Sequence, residues 1–216
     1  SASLEDQAIH PVQNPIEMGE DWSTVTAKLT RHPTYPRLFA QAFGADKPIG
    51  QKLAVQAIAQ FERTLVSADT KYDRWLAGTE EFTPEEERGF LLFHTERADC
   101  FHCHVAPLFT DNQFHNNGLD LDPADPGLAR QTEGRLDRGK FKTPSLRNIQ
   151  YTAPYMHDGR FQTLQEVIEH YNSGFHRSNL TDPLMLIRPE LNLDLKEKQS
   201  LISFLKTLSD PQFNRP

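Results

Sequence analysis

Two thiols and an imidazole stand together at Cys100-Phe101-His102-Cys103-His104, and these are the only two cysteines of the chain. A disulfide framework is therefore excluded, and the pair has to be judged as a local motif. Residues three apart on a helical turn lie on one side of it, so both thiols can form thioethers with the two vinyl groups of one porphyrin. His104, next in line, then presents a ring nitrogen to the iron. The five-residue string matches C-x-x-C-H, the signature of covalent haem attachment, which gives haem c as cofactor and iron as metal. A thioredoxin-like redox pair should sit beside a βαβ pattern, and structural zinc needs a second ligand pair; the sequence offers neither. His10, His32, His94, His115 and His176 read as surface or hydrogen-bonded residues, and His102 as facing away from the iron. Haem attachment takes place outside the cytoplasm, so the motif implies a periplasmic location.

The elements that must position this motif are helical. The pattern is one of helices separated by Pro-rich and Gly-rich loops, with no alternating run long enough to build a sheet, which makes the class mainly α. Apolar Leu53, Ala57, Ile58, Phe61 and Leu65 predict the buried face of a helix over Lys52 to Val66, and an earlier helix is expected over Tyr35 to Phe43. Thr83-Pro84-Glu85-Glu86 combines an N-cap, a first-turn Pro and a capping-box Glu, so a helix starts there and runs to about Thr95, into the cysteine motif. Thr163-Leu164-Gln165-Glu166 opens another, reaching about Tyr171. A last helix is expected from Asp194 to Leu208, with Leu201, Phe204, Leu205 and Leu208 inward, and Ala106 to Pro154 reads as mostly loop. Ser67 to Phe82 is polar, carries Gly78 and has no sustained period, which puts a domain boundary near residue 80.

Length and charge narrow the function. A chain of 216 residues can form one large or two small domains, and two are expected. A net charge of -7 disfavours phosphate-backbone binding and mildly favours basic protein partners, and no apolar run approaches a membrane span. The chain opens at Ser1 without a Met, which reads as a processed or truncated product.

Beyond the haem motif, the strings Lys142-Thr143-Pro144-Ser145-Leu146-Arg147-Asn148 and Thr152-Ala153-Pro154-Tyr155-Met156-His157-Asp158-Gly159 resemble the bacterial di-haem cytochrome c peroxidase and MauG family. Leu4-Glu5-Asp6-Gln7-Ala8, Pro11 and Asn14-Pro15-Ile16-Glu17-Met18 resemble the distal side of that family's peroxidatic haem. The resemblance covers nearly the whole chain and implies a cytochrome c-like haem domain over 81–216, with 1–80 as part of a second such domain. It implies Gln7 and Glu17 as the distal pair, Glu17 acting as the acid-base residue that moves a proton between the peroxide oxygens. It also implies a calcium ion bound partly by the main-chain oxygens of Thr152 and Pro154. Arg147 would pair with a haem propionate, because a guanidinium suits planar carboxylate recognition. The oxidant would be hydrogen peroxide, and electrons would come from a small cytochrome, a cupredoxin or a residue of a protein substrate.

The chain departs from the family in places. Members carry two C-x-x-C-H motifs and an inter-haem Trp just upstream of the Leu4 string, whereas this chain has one motif and starts after that point. An upstream haem-bearing segment, cut off or on a separate chain, is therefore expected. The alternative is a mono-haem electron carrier without catalysis. Ala98 stands where relatives place a Trp two residues before the first haem Cys, so that electron exit is not expected. Tyr171 falls where peroxidases carry a Met and MauG-like members a Tyr. It is the first candidate for the sixth iron ligand, with Met185 and Met156 as alternatives and a buried packing residue as its plain role.

Overall fold

The structure is a computed structural model and describes residues 1–187 and 190–214. It divides into two compact units, Ser1–Val66 and Ser67–Pro216.

In the first unit, α1 (Leu4–Gln13) starts at Ser3, whose hydroxyl accepts the Asp6 N–H. Pro11 lies inside this helix and has no N–H to give, so the Gln7 carbonyl has no partner four residues on. Three further helices follow: α2 (Trp22–Arg31), α3 (Tyr35–Phe43) and α4 (Gln51–Glu62). Helix α3 has the expected limits. Helix α4 stops four residues early, and its buried residues are Ala54, Val55 and Ala59, not the larger apolar set. Ile58, Phe61 and Leu65 are exposed, because α1 and α2 pack along the stripe of small side chains, where backbones can come closest. Ala8, Val12, Trp22 and Phe39 complete this core.

The second unit begins before the boundary expected near residue 80. A short helix, α5 (Lys71–Leu76), stands where no element was expected. A capping box between Thr70 and Asp73 forms it, and buried Tyr72 packs edge-on against Phe109 and Phe204, with ring centroids 5.0 and 6.2 Å away. Those contacts place residues 67 to 80 with the second core. Helix α6 (Pro84–Phe93) carries the expected Thr83–Glu86 capping box and ends two residues short of Thr95. A long irregular stretch follows, holding an antiparallel pair of two-residue strands, β1 (Phe114–His115) and β2 (Phe141–Lys142), with α7 (Ala129–Thr132) between them. Then come α8 (Leu164–Glu169), α9 (Pro183–Ile187) and α10 (Leu195–Thr207), the last capped by Asp194. Helix α8 does not simply run on to Tyr171: His170–Gly174 widens into a π turn.

Helices α6 and α10 make the main contact of this unit, and Gly89 is where they meet. A Cβ there would lie 1.9 Å from the Ser200 carbonyl oxygen, so only glycine permits the approach. Phe93, Phe109, Phe204 and Leu208 are fully buried beside it, and Leu201 and Leu205 face inward as expected. The architecture is mainly α, and no helix among the described residues is long and apolar enough to cross a membrane.

Candidate functional site

The end of α6 delivers the chain into the cysteine motif. Arg97 holds the approach by pairing with Glu197 and donating to the carbonyls of Leu191 and Asn192. The His104 N–H donates to the Cys100 carbonyl at 3.0 Å, closing one helical turn that carries both thiols and the imidazole. His104 Nδ1 lies 2.9 Å from the Phe109 carbonyl oxygen. That contact fixes the tautomer with the proton on Nδ1 and the lone pair on Nε2, the form a metal needs. Burial lowers the His104 pKa despite the opposing Phe109 carbonyl, which favours the neutral ring.

Burial pushes both thiols up to about 12, with Asp99 adding to the effect at Cys100 and Asp111 at Cys103. A dithiol redox centre or a thiolate zinc site needs the opposite environment. The two sulfurs form no disulfide. Desolvated, neutral thiols beside an oriented imidazole fit covalent attachment to a haem.

Tyr171 and Met156 come together at one side chain. Asn117 Nδ2 lies 3.4 Å from Tyr171 Oη and 3.4 Å from Met156 Sδ. Desolvation raises the Tyr171 pKa, the Asn117 amide opposes that shift, and the Cys103 and Cys100 sulfurs add to it, which places the phenol in the neighbourhood of the haem motif. Met185 is half-buried on α9, and among the described residues no hydrogen bond links it to this cluster. No sequence motif marks Asn117; only the fold brings it to the two candidate ligands.

His115 was expected to be surface-exposed or hydrogen-bonded, and it is the second. Its Nδ1 lies 2.6 Å from Asp182 and its Nε2 2.8 Å from Asp111. Burial alone would lower its pKa, but the two carboxylates outweigh that and raise it. Cys103, Asp111 and His115 place ligand atoms within 4.8 Å of one another, a possible metal cluster. Both His115 ring nitrogens are already engaged with the Asp182 and Asp111 carboxylates.

The remaining predicted residues are placed differently from one another. Gln7 is exposed on α1, and no hydrogen bond joins it to Glu17 among the described residues. Glu17 is exposed on a tight turn, where Asn14 Nδ2 donates to Oε1 at 2.6 Å and Asn14 Oδ1 accepts the Ile16 N–H. The main-chain oxygens of Thr152 and Pro154 accept no hydrogen bond among the described residues, and both residues are exposed, so the two oxygens are available to a hard cation.

Arg147 does not wait for a propionate. It grips Asp73 through both terminal nitrogens at 2.9 and 2.8 Å, and also donates to the carbonyls of Ser67 and Pro107. The pair is nearly buried, at 13% and 20% side-chain exposure. Arg147 hydrogen bonds hold the Asp73 carboxyl at about 2, with Thr70 assisting. Asp73→Asn should cost about 3 kcal/mol in urea unfolding, because it strands a buried guanidinium. Asp73 has a depressed folded pKa, so its contribution is complete above its unfolded value near 4 and should fade as pH falls toward 2. An Asp73→Asn variant as stable as wild type at neutral pH would refute this account.

Comparison with known proteins gives a consistent result. The family model for di-haem cytochrome c peroxidase matches residues 1–81. Methylamine utilization protein MauG of Methylophilus methylotrophus is 38% identical over 211 residues, which is 96% of this chain and 62% of that protein. Cytochrome c551 peroxidase of Nitrosomonas europaea is 32% identical, over 99% of this chain and 61% of the relative. The crystal structure of a MauG-like protein associated with microbial copper homeostasis superimposes with a TM-score of 0.87 at 37% identity, covering 96% of this chain and 69% of that one. The chain spans about three fifths of the length of the curated relatives it matches.

Proposed function

Because this chain belongs to the di-haem cytochrome c peroxidase family, with its mainly α, cytochrome c-like fold, we propose that it is the part of a peroxide-dependent oxidoreductase that holds one covalent haem c and supplies the distal residues of another. The observation that carries this reading is the single turn bearing two half-buried thiols and an imidazole with Nε2 left for iron. In this reading the second unit, Ser67–Pro216, surrounds the attached haem, and the first, Ser1–Val66, contributes to a peroxidatic haem held by chain outside these residues. When bound, the haem supplies an iron that gives and accepts electrons.

The chain's own residues do the rest. Glu17, held at one oxygen by Asn14, would take a proton from one peroxide oxygen and return it to the other. Gln7, on the same unit, would contribute its amide as the other distal group. Arg147, being committed to Asp73, is better read as holding the Ser67–Asp73 segment than as meeting a propionate. The free Thr152 and Pro154 carbonyls suit calcium, and the location in this reading is the periplasm. The electron source would be a small cytochrome, a cupredoxin or a residue of a protein substrate. Ala98 lies buried in the core two residues before Cys100 and cannot serve as an electron exit.

Tyr171 is the proposed sixth ligand. A phenolate is a hard anionic donor that favours ferric iron, tilting the chemistry toward oxidation of a substrate. Tyr171→Phe in the haem-loaded protein should replace the ferric spectrum with that of another ligand set. An unchanged spectrum, or a wild-type spectrum with a thioether-to-iron charge-transfer band, would transfer the role to Met156 or Met185. The whole reading is tested by peroxide consumption by the full-length protein with a reduced small cytochrome as donor. A mono-haem carrier would take up the electron and leave peroxide untouched.

A further inference from the structure

We propose that Asn117 is a positioning residue for the sixth-ligand side of the haem, a single carboxamide that holds Tyr171 and Met156 side by side and sets how strongly the phenol can donate to iron. The proposal rests on the reading of Tyr171 as ligand given above. The side-chain amide nitrogen lies 3.4 Å from each of two acceptors, Tyr171 Oη and Met156 Sδ, and has two N–H groups to give. Tyr171 and Met156 are two of the three side chains named as candidate ligands on sequence grounds, Met185 being the third. One amide therefore links these two.

Asn117 is itself held firmly enough to act. Its carbonyl lies 3.0 Å from His170 Nε2, and His170 precedes Tyr171 in the π turn, so Asn117 contacts two successive residues of that turn. Its neighbours are buried Asn116 and Gly118. Asn116 Oδ1 accepts the Gly118 N–H at 2.9 Å, and the Gly118 carbonyl accepts the His176 N–H at 2.7 Å. Gly118 adopts a φ of +66°, and a Cβ there would come within 2.6 Å of the His176 carbonyl oxygen, so the backbone has little room to shift. On the other side, Met156 has a φ of 72° in a loop fastened by Arg160, which pairs with Asp120 and Asp158. The amide thus joins two segments that Arg160 also ties together through Asp120 and the Leu119 carbonyl.

The chemical effect follows from what each acceptor can do. An N–H given to an anionic phenolate oxygen draws charge away from it and weakens its donation to ferric iron. The thioether is only a weak acceptor, so the contact to Met156 fixes position and leaves donor strength to the phenol. Removing the amide should make Tyr171 a stronger donor and favour the ferric state.

The test uses the haem-loaded full-length protein and compares ferric absorption, electron paramagnetic resonance and redox titration. Asn117→Ala should shift the ferric-to-ferrous ratio at fixed potential on the order of tenfold toward ferric, which is about 59 mV for a one-electron couple. Asn117→Asp keeps the size but loses the N–H, and should shift the ratio the same way. Asn117→Gln returns an amide and should recover part of the difference. In a Tyr171→Phe background, the Asn117→Ala shift should vanish. A wild-type spectrum and potential in both Asn117→Ala and Asn117→Asp, whatever their melting temperatures, would overturn the proposal while leaving Tyr171 as ligand. A shift that persists in the Tyr171→Phe background would also overturn it. A Tyr171→Phe spectrum identical to wild type would remove the ligand reading and this proposal together.

Discussion

Replacing Cys100 and Cys103 together with Ser is expected to abolish the covalent haem of this motif, so that the complete protein keeps one haem fewer than wild type through acid-acetone extraction. The turn closed by the His104 N–H and the Cys100 carbonyl presents both sulfurs and the imidazole as one unit. Ser offers an oxygen of similar size that forms no thioether. His104→Gly separates the two roles of the motif: the thioethers should still form, while loss of the proximal nitrogen changes the visible spectrum. A variant lacking both thiols that kept the wild-type number of haems through acid-acetone extraction would remove the basis of the functional reading. So would a colourless wild-type protein.

Glu17→Gln is expected to slow the reaction with peroxide by about 10²-fold or more in the complete protein, because it keeps the shape and removes the group that carries the proton. Asn14 sharpens this test. Its Nδ2 reaches Glu17 Oε1, and the amide oxygen of Gln can accept the same hydrogen bond, so the turn should survive the substitution. Rapid-mixing measurement of the peroxide reaction checks it, and an unchanged rate would reject the acid-base role of Glu17.

Much of the second unit could be read from local chemistry. Thr83 with Glu86, Thr163 with Glu166 and Asp194 with Glu197 each form a capping box, and the helices start where these residues stand. Thr70 and Asp73 form another, but the six-residue helix is too short to show a period, and its Asp73 also serves a distant arginine. In α4 the period was legible and the face was not. Ala54 and Ala59 give little hydrophobic signal, yet their small size is what lets α1 approach, which leaves Ile58 and Phe61 outside. The haem motif could be read because it is contiguous. Asn117 could not, since its partners lie 39 and 54 residues away in the chain. Arg147 was assigned a plausible partner in a propionate, but the fold supplies a carboxylate 74 residues upstream that satisfies the same geometry.

The glycine contact between α6 and α10 also bears on the order of events in synthesis. A chain made from its N-terminus exposes Cys100 and Cys103 well before Ser200 and Phe204 exist, and the Arg97–Glu197 link spans 100 residues. Until α10 arrives, α6 lacks the surface on which Gly89 seats and the aromatic cluster around Phe93 and Phe109 is open. Cys100 and Cys103, half-buried in the finished fold, are therefore made before the aromatic cluster that Cys100 packs against can close.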